Sequence, residues 1–421
     1  MRELIPAPWQ TRRRCGEVAG TGFRGRVGAL PTPPSPPDGA GRTLRALRTP
    51  LLAYLASRVV VLAAAAVAAA VRGRDLGSGP WPALPGGGEG VVRALGRFDG
   101  GWYLEVALRG YPGVDQVDGR LKSLAFFPLY PLSIRGVHDL TGLSPLAVGV
   151  LLSTLLGGIA VCLVWALVRE VQGEAAATRA AAVFAFFPGA FVLSMAYSEA
   201  LLVAAAAACL LLLVRHQWVG AGLAAAVATA ARPNAAVLIG ACAWAAAVAV
   251  HRRRDWSALW AVGLAPAGLL GYFGFLWIRT GEPLGWFRSQ SEAWRDHVDL
   301  GGTTVGRVAV LVQDPHVSLD VRALNDLVNS IGLLFVVISV VLLLRWRPPG
   351  AVAVYALGVL FMALASDHVG ARPRFLLAAF PLVLAIGVRL DGRRYAAALG
   401  SSAAALAVFS FLVFGTRAVT P

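Results

Sequence analysis

Charge is scarce in this 421-residue sequence: Asp, Glu, Lys and Arg make up 14% of it and hydrophobic residues 57%, where average globular chains carry roughly 25% charged residues. That shortage excludes an ordinary soluble domain. It also excludes a disordered chain, which needs low hydrophobicity. An outer-membrane barrel is excluded as well, because its strands alternate polar and apolar residues and this chain has long unbroken apolar runs. Cysteine is nearly missing. The four present, Cys15, Cys162, Cys209 and Cys242, are scattered through the chain and offer neither a disulfide framework nor a metal site. There is no His-Glu-x-x-His, no Cys-x-x-Cys, no Walker loop and no dinucleotide fingerprint, and Gly86-Gly87-Gly88 lacks the strand and helix that a phosphate cradle needs. No metal and no cofactor are expected. An internal repeat, the mark of many secondary transporters, is not evident either.

What remains is apolar sequence. At about 20 residues per crossing, a chain with mean hydropathy +0.66 holds enough for about ten spans or more. The expectation is an all-α polytopic membrane protein with about eleven transmembrane helices. Apolar runs fall at about 51–71, 146–168, 180–195, 200–214, 219–231, 235–250, 256–278, 327–344, 351–365, 375–388 and 396–414. Residues 1–50, rich in Arg, Pro and Gly, read as a disordered cytoplasmic tail. The run at 51–71 is longer than a signal-peptide core and lacks a small-residue cleavage site, so it reads as a retained span. Around Arg232-Pro233-Asn234 the sequence fits two complete helices or one broken helix lining a cavity.

The net charge of +15 would suggest nucleic acid as partner for a soluble chain. Here the basic residues sit where the positive-inside rule puts them. With Arg42, Arg45 and Arg48 holding the N-terminus inside, every alternate connection is basic: 169–179, Arg215-His216, His251-Arg252-Arg253-Arg254, Arg345-Trp346-Arg347 and 389–394. No nucleic acid is expected. The opposite connections include two long loops, 72–145 and 279–326, and hold most of the acids.

The first of these loops carries Arg97-Phe98-Asp99-Gly100-Gly101-Trp102-Tyr103 and Ala125-Phe126-Phe127-Pro128-Leu129-Tyr130-Pro131. Aromatics interleaved with Gly and Pro at a membrane surface predict short interfacial helices in an ordered loop. Asp99, before two glycines, is either a carboxylate left open to a substrate or a turn residue. Glu199, in Tyr197-Ser198-Glu199, opens an apolar run; it reads as a sugar-binding acid at membrane depth or as a helix N-terminal acid favoured by the dipole. The outer-side arginines Arg232, Arg372 and Arg374 suit a phosphate or merely snorkel to headgroups. Asp367-His368 lies beside the arginine pair. In the second loop Glu282, Trp286, Trp294, Asp296, His297 and Asp299 form either an acceptor platform or solvated loop.

These motifs together resemble the PIG-V family of GPI mannosyltransferases. The resemblance rests on Arg97-Phe98-Asp99-Gly100-Gly101-Trp102-Tyr103, Phe126-Phe127-Pro128-Leu129-Tyr130-Pro131, Tyr197-Ser198-Glu199, Arg232-Pro233-Asn234 and Arg372-Pro373-Arg374-Phe375, in the family's order from about Arg97 to Pro381. It implies a GT-C glycosyltransferase, residues 51–421 forming the membrane domain, whose first extracytoplasmic loop bears the catalytic acid, Asp99. It implies a polyprenyl-phosphate-mannose donor with Arg232, Arg372 and Arg374 on the phosphate. Trp102, Tyr103, Tyr130, Glu199, Asn234 and His368 are the substrate-binding candidates. The composition looks bacterial, where no GPI anchor is made, so the acceptor would be a glycolipid or envelope glycan outside the plasma membrane; in a eukaryote the same face would be the ER lumen. A lipid or small-solute transporter, or a GT-C enzyme moving another sugar, is the alternative.

Overall fold

A computed structural model of the chain describes residues 39–72, 82, 90–313, 321–367, 369–416 and 419. The tail expected at 1–50 lies outside the described residues up to 38. The first helix, α1 (Gly39–Arg72), begins ahead of residue 50 and contains Pro50. Thr43–Pro421 form one compact unit.

The first long loop is helical where it is described, as its aromatic spacing predicts: α2 (Gly90–Leu95), α3 (Asp99–Arg109), 3₁₀ turns over Val114–Gln116 and Asp118–Ala125, and α4 (Leu129–Thr141). The chain then enters α5 (Pro145–Gln172), capped by the Ser144 hydroxyl, which accepts the Ala147 N–H at 3.3 Å. α6 (Glu174–Phe186) follows, then a 3₁₀ segment Pro188–Ser194, bent 75° from it. α7 (Glu199–Val214) and α8 (Trp218–Ala231) pack on each other, and α7 also packs on α5. At Arg232 the backbone is fully extended, and a 3₁₀ turn over Pro233–Ala236 leads into α9 (Val237–Arg253). The sequence around Arg232 therefore makes two helices, broken where Pro233 lacks the N–H to continue the first.

α10 (Leu259–Leu264) and α11 (Ala267–Thr280) complete one apolar stretch. The second long loop holds α12 (Gly285–Arg288), a π-helical turn Ser289–Trp294 and α13 (Gly302–Gln313). Then come α14 (Val321–Trp346), α15 (Gly350–Ala365), α16 (Pro373–Ala378), α17 (Phe380–Arg389) and α18 (Gly392–Gly415). Among the described residues the extended pairing is a single isolated bridge, Val298 to Ser366. α14 takes over at Val321, so the second loop ends short of the boundary at 326.

All the apolar runs are helical, but they are not eleven equal crossings. Six stretches are long and apolar enough to span alone, or up to seven if the bent α6 pair counts as one. The helices α7, α8, α15 and α17 are shorter. Short helices end early where the bundle opens a cavity, and irregular backbone at that depth is tolerated only in such a place.

The bend after α6 leaves backbone carbonyls without helical partners. A buried guanidinium, that of Arg58 in α1, answers them: it donates to Ala190 O at 2.7 Å, Ala185 O at 3.3 Å and Ser194 Oγ at 3.0 Å. The same bent segment meets α16 at Gly189, where any Cβ would collide with the Pro373 carbonyl. The basic connections gather at the other end of the bundle. There Arg215 pairs with Glu170 at 2.8 Å, Arg253 Nη1 lies 3.1 Å from His216 Nε2, and Arg179 donates to Gly387 O at 3.0 Å.

This packing gives a stability test. Gly189→Ala should destabilise by about 1–3 kcal/mol, the cost of overpacking a tight contact, read as a lower Tm in detergent. Gly263→Ala, whose Cβ would meet open space, should leave Tm unchanged or raise it slightly. Equal Tm values for both variants would refute the close approach.

Candidate active site

Arg97 fixes the start of α3. Its Nη1 donates to Val413 O at 3.0 Å and Phe414 O at 2.8 Å, carbonyls at the end of α18 where a cation is favoured. The guanidinium also lies over the Phe98 ring, 4.7 Å from its centre. Phe98 adopts φ 58°, ψ −124°, a conformation that costs a residue with a Cβ about 1–3 kcal/mol and persists only where the surroundings enforce it. The sequence points to Gly100 and Gly101 as the turn formers; the structure gives the unusual backbone to Phe98 and puts both glycines inside α3. Gly101 serves instead to let the Pro82 carbonyl approach, since a Cβ there would sit 2.9 Å from its oxygen.

Asp99 is the first residue of α3. Its N–H donates to Tyr197 Oη at 3.2 Å, and the Tyr197 hydroxyl donates to Arg97 O at 3.2 Å. Asp99 Oδ2 lies 2.6 Å from Arg374 Nη2. Arg374 Nε in turn bonds Glu199 Oε1, and Arg232 Nη1 reaches the same oxygen at 2.8 Å. Arg374 also lies over the Tyr197 ring at 4.5 Å. Arg232 Nη1 donates further to Ser198 Oγ at 3.3 Å and Tyr103 Oη at 3.4 Å, and those two hydroxyls are 2.5 Å apart. Two carboxylates and two arginines, from four separate stretches of sequence, thus form one continuous ionic cluster. Arg374 and Glu199 within it are 3% and 2% exposed. Side chains this dry hold charge only because each has an opposite partner.

The cluster forms one wall of a cavity of about 460 Å³. Of the site residues expected from sequence, Asp99, Tyr103, Arg232, Asn234, Arg372 and Arg374 line it. Three others do not. Glu199 opens α7, is buried behind the wall and holds two arginines, a role that neither of its sequence readings foresaw. Tyr130 is fully buried, donating to Gly149 O at 2.8 Å with Ser153 Oγ at 2.7 Å. Trp102 is turned into an aromatic cluster, stacked on Phe126 with centres 6.1 Å apart. His368 lies outside the described residues.

The opposite wall comes from the second loop. Trp286, Gln290, Trp294 and Asp296 face the cavity with Phe126 and Phe127. Of the platform candidates, Trp286, Trp294 and Asp296 thus reach the site, and the others are used elsewhere. Glu282 pairs with Arg288 at 2.7 Å, and Arg288 also holds Asp118 of the first loop at 2.6 Å, which fastens the two loops together. Asp299 caps the start of α13 by accepting the Thr303 and Gly301 N–H groups at 2.6 and 2.9 Å. Those bonds, Thr303's above all, hold its carboxyl below the usual range. His297 lies 3.8 Å from Asp367. Sequence reasoning missed Gln290, whose polar side chain carries no local signal, and Arg58, which is hidden in an apolar run. Among the described residues no three metal-ligating side chains converge.

The family profile described as Dolichyl-phosphate-mannose-protein mannosyltransferase matches residues 127–277. That window includes Glu199 and Arg232 but neither Asp99 nor Arg374. Among solved structures, ArnT from Cupriavidus metallidurans bound to undecaprenyl phosphate superposes with a TM-score of 0.51 at 13% identity, over 86% of this chain and 63% of that one. The fold is GT-C-like. The chain spans less than two thirds of ArnT. The Archaeoglobus fulgidus oligosaccharyltransferase tethered with an acceptor peptide overlaps 70% of this chain and 48% of its own at 16% identity and a TM-score of 0.37. Its apo form gives 15% identity and the same TM-score. Among curated proteins nothing matches.

The ionic cluster is testable by a double-mutant cycle. Glu199→Gln and Arg374→Gln should each lower stability by up to about 3–5 kcal/mol, since each takes one of two partners from a buried charge. The double variant should lose clearly less than their sum. Additive losses in detergent unfolding would show that the two groups do not interact.

Proposed function

We propose that this protein transfers mannose from a polyprenyl-phosphate-mannose donor to a glycolipid or envelope-glycan acceptor on the non-cytoplasmic side of the membrane, with inversion. The observation that carries the reading is the sharing of one cavity wall by Asp99 and three guanidinium groups, those of Arg232, Arg372 and Arg374. Support for a polyprenyl-phosphate donor comes from the undecaprenyl phosphate of ArnT, and support for mannose from the PIG-V-like motifs and the mannosyltransferase profile. The face is inferred from charge: the basic connections lie at the end remote from the cavity, where the positive-inside rule puts the cytoplasm. The loops 72–145 and 279–326 are then the extracytoplasmic ones, within a GT-C-like domain at 51–421.

In this mechanism Asp99 is the general base. Oδ2 is held by Arg374, while Oδ1 makes no hydrogen bond among the described residues and is left for the acceptor. It takes the proton of the acceptor hydroxyl as that oxygen attacks the anomeric carbon. The bond from that carbon to the donor phosphate breaks, its electron pair stays on the phosphate oxygen, and polyprenyl phosphate leaves. A β-linked donor gives an α-mannoside. Negative charge grows on the phosphate as the bond breaks, and fixed guanidiniums lower the barrier because they are already oriented before it forms. Tyr103 and Asn234 line the same cavity and contact the sugar in this reading; buried Asn234 Oδ1 has no protein partner among the described residues and can accept from a sugar hydroxyl.

The test is a transfer assay on purified protein with radiolabelled polyprenyl-phosphate-mannose and membrane-extracted acceptors. Asp99→Asn should cut product formation by about 10²–10⁴-fold, the range for loss of a general base, while donor binding persists. Arg374→Gln should weaken donor binding as well. Unchanged transfer in Asp99→Asn would remove the base from the proposal; transfer of a different polyprenyl-linked sugar, with none from the mannose donor, would keep the mechanism and replace the sugar.

A further inference from the structure

We propose that the groove between the ends of α14 and α17, at the end of the bundle away from the cavity, binds the phosphate of an anionic phospholipid whose acyl chain lies along α14. Arg345 and Arg347 sit at the end of α14 and Arg389 closes α17. With Val341 and Leu344 they line a groove of about 480 Å³.

What sets this trio apart is that arginines from the ends of two helices line one groove. Arg215 at the same end is paired with Glu170. Among the described residues none of Arg345, Arg347 and Arg389 has an ion pair, and the nearby carboxylate of Asp391 has none either. Positive-inside placement explains why arginines occur at this end. It does not explain why three from two helices surround one groove uncompensated. The chain takes a strained course there: Arg347 is left-handed at φ 55°, and between the two arginines Trp346 is buried at 5% exposure, anchoring the turn. Guanidinium groups fork onto phosphate oxygens, and three of them exceed the single negative charge of a phosphodiester.

The floor decides between a lipid and a free anion. Ile331, Leu334, Ile338, Val341 and Leu344 are all exposed on α14, and spacings of three and four residues put them on one face. This stripe runs along the C-terminal half of the helix and ends at Arg345. An acyl chain would cover it while its headgroup lies on the arginines; inorganic phosphate would use the arginines alone. The site does not depend on the proposed transferase chemistry and uses none of its residues.

The experiment is native mass spectrometry of the full chain released from detergent, titrated with phosphatidylglycerol or phosphatidylcholine. The wild type should retain phosphatidylglycerol at about tenfold lower lipid concentration than phosphatidylcholine, since each basic side chain contributes measurably to anionic-headgroup affinity. Arg345→Gln with Arg389→Gln should abolish that preference. Arg252→Gln with Arg253→Gln removes the same charge at the end of α9 and should preserve it. Leu344→Ser should weaken retention without changing charge. Equal retention of both lipids by the wild type, or equal loss in the two arginine pairs, would overturn the proposal. So would displacement of phosphatidylglycerol by inorganic phosphate together with full retention in Leu344→Ser, since both would describe a simple anion site.

Discussion

The cavity end of this molecule hangs on one guanidinium. Arg374 is buried and bonded to both Asp99 and Glu199. Removing such a group from water costs several kcal/mol unless opposite charge is supplied inside the protein. Two carboxylates supply it, one from the start of α3 and one from the start of α7, and Glu199 passes the constraint on to Arg232 at the end of α8. Four helix termini are therefore held together by charge that has nowhere else to go. The consequence is placement more than stability: a buried ionic cluster has few acceptable geometries, so the carboxylate of Asp99 and the guanidiniums around it are fixed before any ligand arrives.

Around this cluster the bundle has little hydrophobic force to draw on, because lipid tails are as apolar as the helix faces. Helices in lipid associate through close packing and hydrogen bonds, and both occur where the site is positioned. Gly189 lets the bent segment after α6 lie against Pro373, one residue from Arg374, and Gly332 of α14 meets the Ala371 carbonyl, one residue before Arg372. Arg58 satisfies the carbonyls of that bend from the far side. The cavity-lining arginines Arg372 and Arg374 are thus located by glycine contacts and by an arginine that does not reach the cavity.

Much of this was readable from the sequence because it depends on local composition. Apolar runs gave the helices, basic connections gave two unlike ends, and Pro233 gave the break beside Arg232. Side-chain direction was not readable. Trp102 and Tyr103 are neighbours in one motif, yet a helix turns about 100° per residue, so one packs into an aromatic cluster while the other lines the cavity. Glu199 reads as an acid opening an apolar run, and nothing near it in sequence announces that its partners lie at 232 and 374. The loop residues 286–296 reach the cavity through the Arg288 bridge to Asp118, a contact between segments 170 residues apart. Long-range pairing of this kind leaves no periodic trace.

The ion pair between Asp99 and Arg374 bears on how the proposed reaction would begin. A donor phosphate offers Arg374 a competing anion of similar geometry. In the proposed reaction, as the phosphate engages Arg374 and its neighbours, the hold on Asp99 Oδ2 relaxes and the carboxylate is released toward the acceptor when a donor is present. Glu199, lying behind the wall, keeps Arg374 and Arg232 in place while that exchange occurs. In the proposed reaction the two acids then divide the work by depth: the buried one fixes the cations, and the one at the cavity surface serves as the base.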